Sequence, residues 1–133
     1  MSIIFTNNFL PFCLLLILFE LKHFVADFLL QTKYMLGKFK PGWDFILPLS
    51  THCAVNAIFT YIILVGIGKT NLWPLVIFDF ISHFLIDRMK SSPKWLGKYR
   101  PEQSKFWWVL GLDQALHHIV YITIVLAIMS RMG

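Results

Sequence analysis

Apolar residues dominate four stretches of the chain, and each stretch is interrupted at helical spacing by the same few polar residue types. A helix crossing a bilayer needs roughly 17–25 mainly apolar residues, since each adds about 1.5 Å of rise. The four stretches meet that length and predict helices over about 5–32, 45–67, 72–89 and 106–129. Pro48 falls near the start of the second, where a missing N–H is tolerated. Gly66 and Gly68, followed by Lys69, Thr70 and Asn71, predict a short turn before the third. The expected fold is all-α: one integral membrane four-helix bundle over residues 1–133.

The polar positions inside the helices follow a pattern. The first helix carries Glu20, His23, Asp27 and Gln31; the second, His52 and Asn56. The third carries Asp79, His83 and Asp87, then Arg88 and Lys90; the fourth, Asp113, Gln114, His117 and His118. Residues three or four apart share a helix face, so each helix has one polar stripe and an apolar remainder for lipid. Counted from the helix ends, the His and Asp groups fall in one layer about 10 Å below a common surface. The first helix admits two registers. A span over 3–21 leaves His23 to Gln31 at the interface, whereas one starting near Phe9 places them inside. Lys22 favours the former, because a mid-membrane ammonium costs on the order of 3 kcal/mol.

Composition supports the membrane reading. The chain is 57% hydrophobic and 14% charged, against about 45–50% and about 25% in soluble domains. The net charge of +5 raises nucleic acid as a partner, but nine of the 12 Lys and Arg lie in segments 33–40 and 88–105. No basic domain stands apart, so nucleic acid is not expected. Both basic segments join an odd helix to an even one and so share a side. The positive-inside bias then predicts cytoplasmic basic loops with the N-terminus and C-terminus out. The Trp residues fall at or near helix ends, where interfacial Trp belongs. Cys13 and Cys53 have no metal-type spacing and read as small packing residues. With no Lys or Arg ahead of the first apolar run and no small-residue cleavage site, no removable signal peptide is expected.

Imidazoles and carboxylates gathered at one depth suit a divalent cation, which gives each carboxylate a charge to face and each imidazole an acceptor for its lone pair. The expected ligands are His23, Asp27, His52, His83, Asp87 and His117, for one or two ions of Zn, Mn or Fe. Gln31, Asn56 and Gln114 are expected to hydrogen-bond the ligands. Asp79 and Asp113 are candidates for a general base. Glu20 lies on the stripe but deeper, and His118 reads as a structural His. Lys90 and Arg88 could draw a substrate phosphate, although Lys90 also reads as a residue that snorkels to lipid phosphates. Interhelical hydrogen-bonding accounts for any single His–Asp pair equally well.

The strings HFVADFLLQTKYM, DFISHFLIDRMK and LDQALHH resemble a family of small integral membrane proteins of bacteria and phages, catalogued as a domain of unknown function. The likeness runs over nearly the whole chain. The family's elements fall on His23/Asp27/Gln31, His83/Asp87 and Asp113/Gln114/His117. The pattern is also similar to that of intramembrane metal-dependent hydrolases, a fold-level analogy. The expected location is the bacterial inner membrane, multi-pass. The leading expectation is a metal-dependent hydrolase opening to the cytoplasmic leaflet. Its substrate would be phosphate-bearing or acyl, for instance an anionic lipid head group or a phosphorylated small molecule. A proton or divalent-ion transporter using the same residues is the alternative. A phage membrane factor acting by protein contact is a third. Membrane lipid is the expected surrounding, and a homo-oligomer is compatible with all three.

Overall fold

Helix α1 covers Ser2–Phe24, α2 Ile46–Gly66, α3 Pro74–Ser91 and α4 Ser104–Met129. These come from a computed structural model that describes residues 2–132, with side chains from Asn8 onward. The all-α expectation holds, and no strand occurs among the described residues. The predicted sidedness of the termini falls on Met1 and Gly133, which lie outside the described residues.

Helix α1 continues into one wide π-helical turn over Val25–Leu29, in which the Leu30 N–H donates to the Val25 carbonyl at 2.9 Å. It stops short of the predicted residue 32. Thr32 Oγ1 instead accepts the Met35 N–H at the start of a 3₁₀ segment, Met35–Phe39. After α2 the chain turns through Gly68, whose φ of +68° suits glycine. Lys69 N–H to the Leu64 carbonyl (2.8 Å) and Gly68 N–H to that of Val65 (3.1 Å) close a Schellman-type helix end. Pro74 then occupies the first turn of α3, where its ring fits and its missing N–H is not needed.

Among the described residues, three stretches, Asn8–Leu29, Ile46–Gly66 and Ser104–Met129, are long and apolar enough to cross a membrane. Helix α3 departs from the expectation of four alike spans. Asp79, Asp87, Arg88 and Lys90 within its 18 residues leave it too polar by composition. Asp79, His83 and Asp87 are buried, however, and Ile77, Phe78, Ile81 and Leu85 face outward. Packed against α2 and α4, α3 therefore shows an apolar side to the surroundings and keeps both of its carboxylates within the bundle.

The bundle as a whole is apolar outside and divided inside. Leu14, Ile17, Leu47, Ile58, Ile119 and Leu126 are among many large apolar residues on the surface, as expected of a chain that packs against lipid. Inside, Leu15, Phe19, Ile63, Leu64, Tyr121, Ile124, Val125 and Ile128 form an apolar core at one end. Lys22, His23, His52, Asn56, Thr60, Asp79, His83, Asp87, Asp113 and His117 fill the interior nearer the basic loops. The Asn8–Leu29 stretch includes Lys22, His23 and Asp27, so length and composition allow the longer register of the first helix. Lys22 is only 4% exposed, and its cost is offset by a buried partner described below.

Candidate metal centre

Helical spacing brings one His or Asp per turn to the interior, and four of them from three elements converge. Asp27 from the π-helical turn, His83 and Asp87 from α3, and His117 from α4 each offer a ligand atom within 4.8 Å of all the others. This group can hold a metal ion. Its internal distances include His117 Nε2 to Asp87 Oδ1 at 3.4 Å and His83 Nε2 to Asp27 Oδ1 at 3.6 Å. His52 of α2 adjoins it, with Nε2 3.1 Å from Asp87 Oδ2 and 3.2 Å from His83 Nε2.

The state of His117 follows from its partners. Its Nδ1 lies 2.8 Å from the Asp113 carbonyl oxygen, which can only accept, so Nδ1 is assigned the proton. In the neutral ring Nε2 then carries a lone pair. That atom is buried without a hydrogen-bond partner and faces the Asp87 carboxylate, itself an acceptor. Two acceptors turned towards each other in a dry interior call for a proton or a cation between them. His52 Nδ1 and His83 Nδ1 are likewise buried without partners.

Three lysines accompany the carboxylates. Lys22 Nζ lies 2.5 Å from Asp79 Oδ2, Lys38 Nζ 2.8 Å from Asp87 Oδ2, and Lys90 Nζ 2.8 Å from Asp113 Oδ2. Asp27 is held differently: Asn56 Nδ2 donates to its Oδ1 at 2.8 Å, and His23 Nδ1 stands 3.4 Å from its Oδ2. Asp27 thus faces imidazoles and an amide, where the other three carboxylates each face an ammonium.

The remaining candidates separate clearly. His23, expected among the ligands, lies beside the group of four with both ring nitrogens engaged. Its Nε2 is 3.1 Å from Gln114 Oε1, and its Nδ1 is 2.9 Å from the Tyr121 hydroxyl. Asp79 sits in a separate pocket of charge, where its Oδ2 also accepts from Thr60 Oγ1 at 2.5 Å. Asp113 accepts from Gln114 Nε2 at 2.9 Å as well as from Lys90. Asn56 joins the cluster and Gln114 links His23 to Asp113, while Gln31 lies beyond the helical turn and is half-buried. Lys90 turns inward to Asp113 instead of snorkelling outward, because a buried carboxylate is the stronger attraction. Arg88 is spent on structure: its guanidinium lies 3.5 Å over the Phe45 ring and donates to the carbonyls of Lys38 (3.1 Å) and Lys40 (3.3 Å). Glu20 pairs with His118 away from the cluster.

Sequence reading missed Lys38, Thr60 and Tyr121 as parts of this network. Lys38 counts as a loop charge until the 3₁₀ segment is seen to bury it at 4% exposure. Thr60 carried the only usable signal, a hydroxyl one turn beyond Asn56 on the face that already holds His52.

Fold and site together define a small helical protein of membrane type, built around a buried His–Asp cluster. Residues 14–132 match the family described as "Protein of unknown function (DUF3307)", and the chain belongs to that family. No curated protein and no solved structure matches it.

Proposed function

We propose that this chain is an intramembrane metal-dependent hydrolase, with Asp27, His83, Asp87 and His117 as its metal ligands. The observation that carries the reading is His117 Nε2, a buried lone pair with no hydrogen-bond partner that is turned towards the Asp87 carboxylate. A set of two imidazoles and two carboxylates suits Zn, Mn or Fe over Mg or Ca. A cation there would acidify water and polarise a phosphoryl or acyl carbonyl group. His52, adjoining the group, would take a proton from an attacking water. Asp79 and Asp113, each engaged by an ammonium, serve to fix Lys22 and Lys90 and are less suited to act as base.

The proposed site opens towards the basic loops, which we place on the cytoplasmic side of a bacterial inner membrane, with both termini out. Contacts of Lys38 with Arg88 and Ser91 support a common end for the two basic segments. At 11% side-chain exposure, Asp27 is the most open carboxylate of the cluster. The positive loops would attract an anionic lipid head group or a phosphorylated small molecule.

A proton or divalent-ion path is the second reading, favoured by the run of buried polar groups from Lys90 to Asp79. Against it stands the apolar core of Leu15, Phe19, Leu64, Ile124 and Ile128, which closes the interior beyond Thr60 and Tyr121. A blind polar site fits catalysis better than passage.

Elemental analysis of protein purified in mild detergent and loaded with Zn, Mn or Fe tests the proposal. About one or two ions per chain are expected, lost in His117→Ala and Asp27→Asn while helicity is kept. Loaded protein should then hydrolyse a phosphomonoester or acyl-ester lipid. Absence of metal under every loading condition would end the proposal, and ion flux in proteoliposomes without hydrolysis would favour the second reading.

A further inference from the structure

Away from the cluster, Glu20 of α1 and His118 of α4 form a 2.5 Å pair whose side chains remain 42% and 44% exposed. Their depth makes that exposure unusual. Glu20 lies near the middle of the Asn8–Leu29 stretch, and His118 near the middle of Ser104–Met129. At about 1.5 Å per residue, each is more than about 13 Å from either end of its span. Polar groups at such depth normally face the bundle interior or a protein partner, because hydrocarbon offers them no hydrogen bonds.

We propose that a second copy of this chain covers the pair. The inference rests on the helices crossing a bilayer and is independent of the metal reading. Charge complementarity favours a like partner. The existing bond uses one oxygen of Glu20 and one ring nitrogen of His118, leaving each residue a second polar atom. In the net-neutral pair one proton lies in the existing bond and a second on one of the two free atoms. Whichever atom holds it, these make one donor and one acceptor, a set complementary to its own two-fold image as an isologous interface requires. The surrounding surface allows close approach. Gly111, Ala115, His118 and Ile122 follow each other at helical spacing on α4, with Gly111, Ala115 and Ile122 exposed. A side chain added at Gly111 would meet nothing within 4 Å. Small residues one and two turns before a polar one, as Ala115 and Gly111 are before His118, let two membrane helices pack closely enough to bond across the contact.

The test uses the full chain in liposomes, labelled for energy transfer and diluted with lipid over a wide range. A saturable dimer is expected. Ala115→Ile and Glu20→Gln should each weaken it roughly fivefold to thirtyfold, the range for interhelical packing and polar contacts. Circular dichroism should show unchanged helicity. Should either variant fail to fold, Ala115→Cys in a Cys13→Ala, Cys53→Ala background decides. It should form an intermolecular disulfide, and Leu85→Cys on the outer side of α3 should not. A monomer at all dilutions, equal cross-linking at both positions, or association that requires a different protein would overturn the inference.

Discussion

The Lys22–Asp79 pair allows a quantitative check of how this bundle tolerates charge. Both side chains are at most 1% exposed, at an N–O distance of 2.5 Å. The ammonium also lies 4.6 Å from the centre of the Tyr121 ring and 5.4 Å from that of Phe19. Asp79→Asn preserves shape and still offers Thr60 an acceptor oxygen, but strands the ammonium in an apolar setting. Breaking a buried pair from one side costs about 3–5 kcal/mol, because the remaining charge loses both its partner and water. Lys22→Met should cost a similar amount by stranding the carboxylate. The double variant removes both charges together and should be clearly less destabilised than the sum, with a coupling of at least about 2–3 kcal/mol. Reversible unfolding in mixed micelles, followed by far-ultraviolet circular dichroism, measures all four corners of the cycle. Additive losses would refute the reasoning, since they would mean that the two charges do not depend on each other.

Three further outcomes follow from the site and its loops. Lys38→Met removes an ammonium 2.8 Å from Asp87 Oδ2. Calorimetry should then show divalent-cation binding tightened at least about tenfold, because a unit charge about 5 Å away is worth several kcal/mol even at an effective dielectric near 20; unchanged affinity would remove Asp87 from the ligand set. His23→Ala should keep its bound metal while His83→Ala loses it, and equal loss in both would place His23 among the ligands. Gly97→Ala should destabilise the α3–α4 connection by about 1–3 kcal/mol in thermal unfolding, since a Cβ there collides with the Ser91 carbonyl and comes within 2.9 Å of that of Ser92; an unshifted transition would mean that the connection gives way freely.

Much of the fold was legible from local pattern. Long apolar runs marked α1, α2 and α4, and the His-x3-Asp and Asp-x3-His spacings placed the polar residues of each helix on one face. The same patterns misjudged individual charges. Lys22 argued for a shorter first span because an unpaired ammonium is costly in hydrocarbon, yet Asp79, 57 residues away, provides its partner. Lys90 reads as snorkelling from its place near a helix end, yet Asp113 lies within reach.

What the chain determines by itself is therefore the set of helices, their apolar outer faces and the residue types that line the interior, because hydrophobic periodicity is a property of neighbours in sequence. Which imidazoles and carboxylates meet, and which lysine each carboxylate takes, was decided only when the helices packed. Those choices depend on relative depth, on rotation about each axis and on a π-helical turn at Asp27. None of these has a signature in local spacing, and so the separation of His23 from the four clustered residues and the burial of Lys38 were visible only in three dimensions.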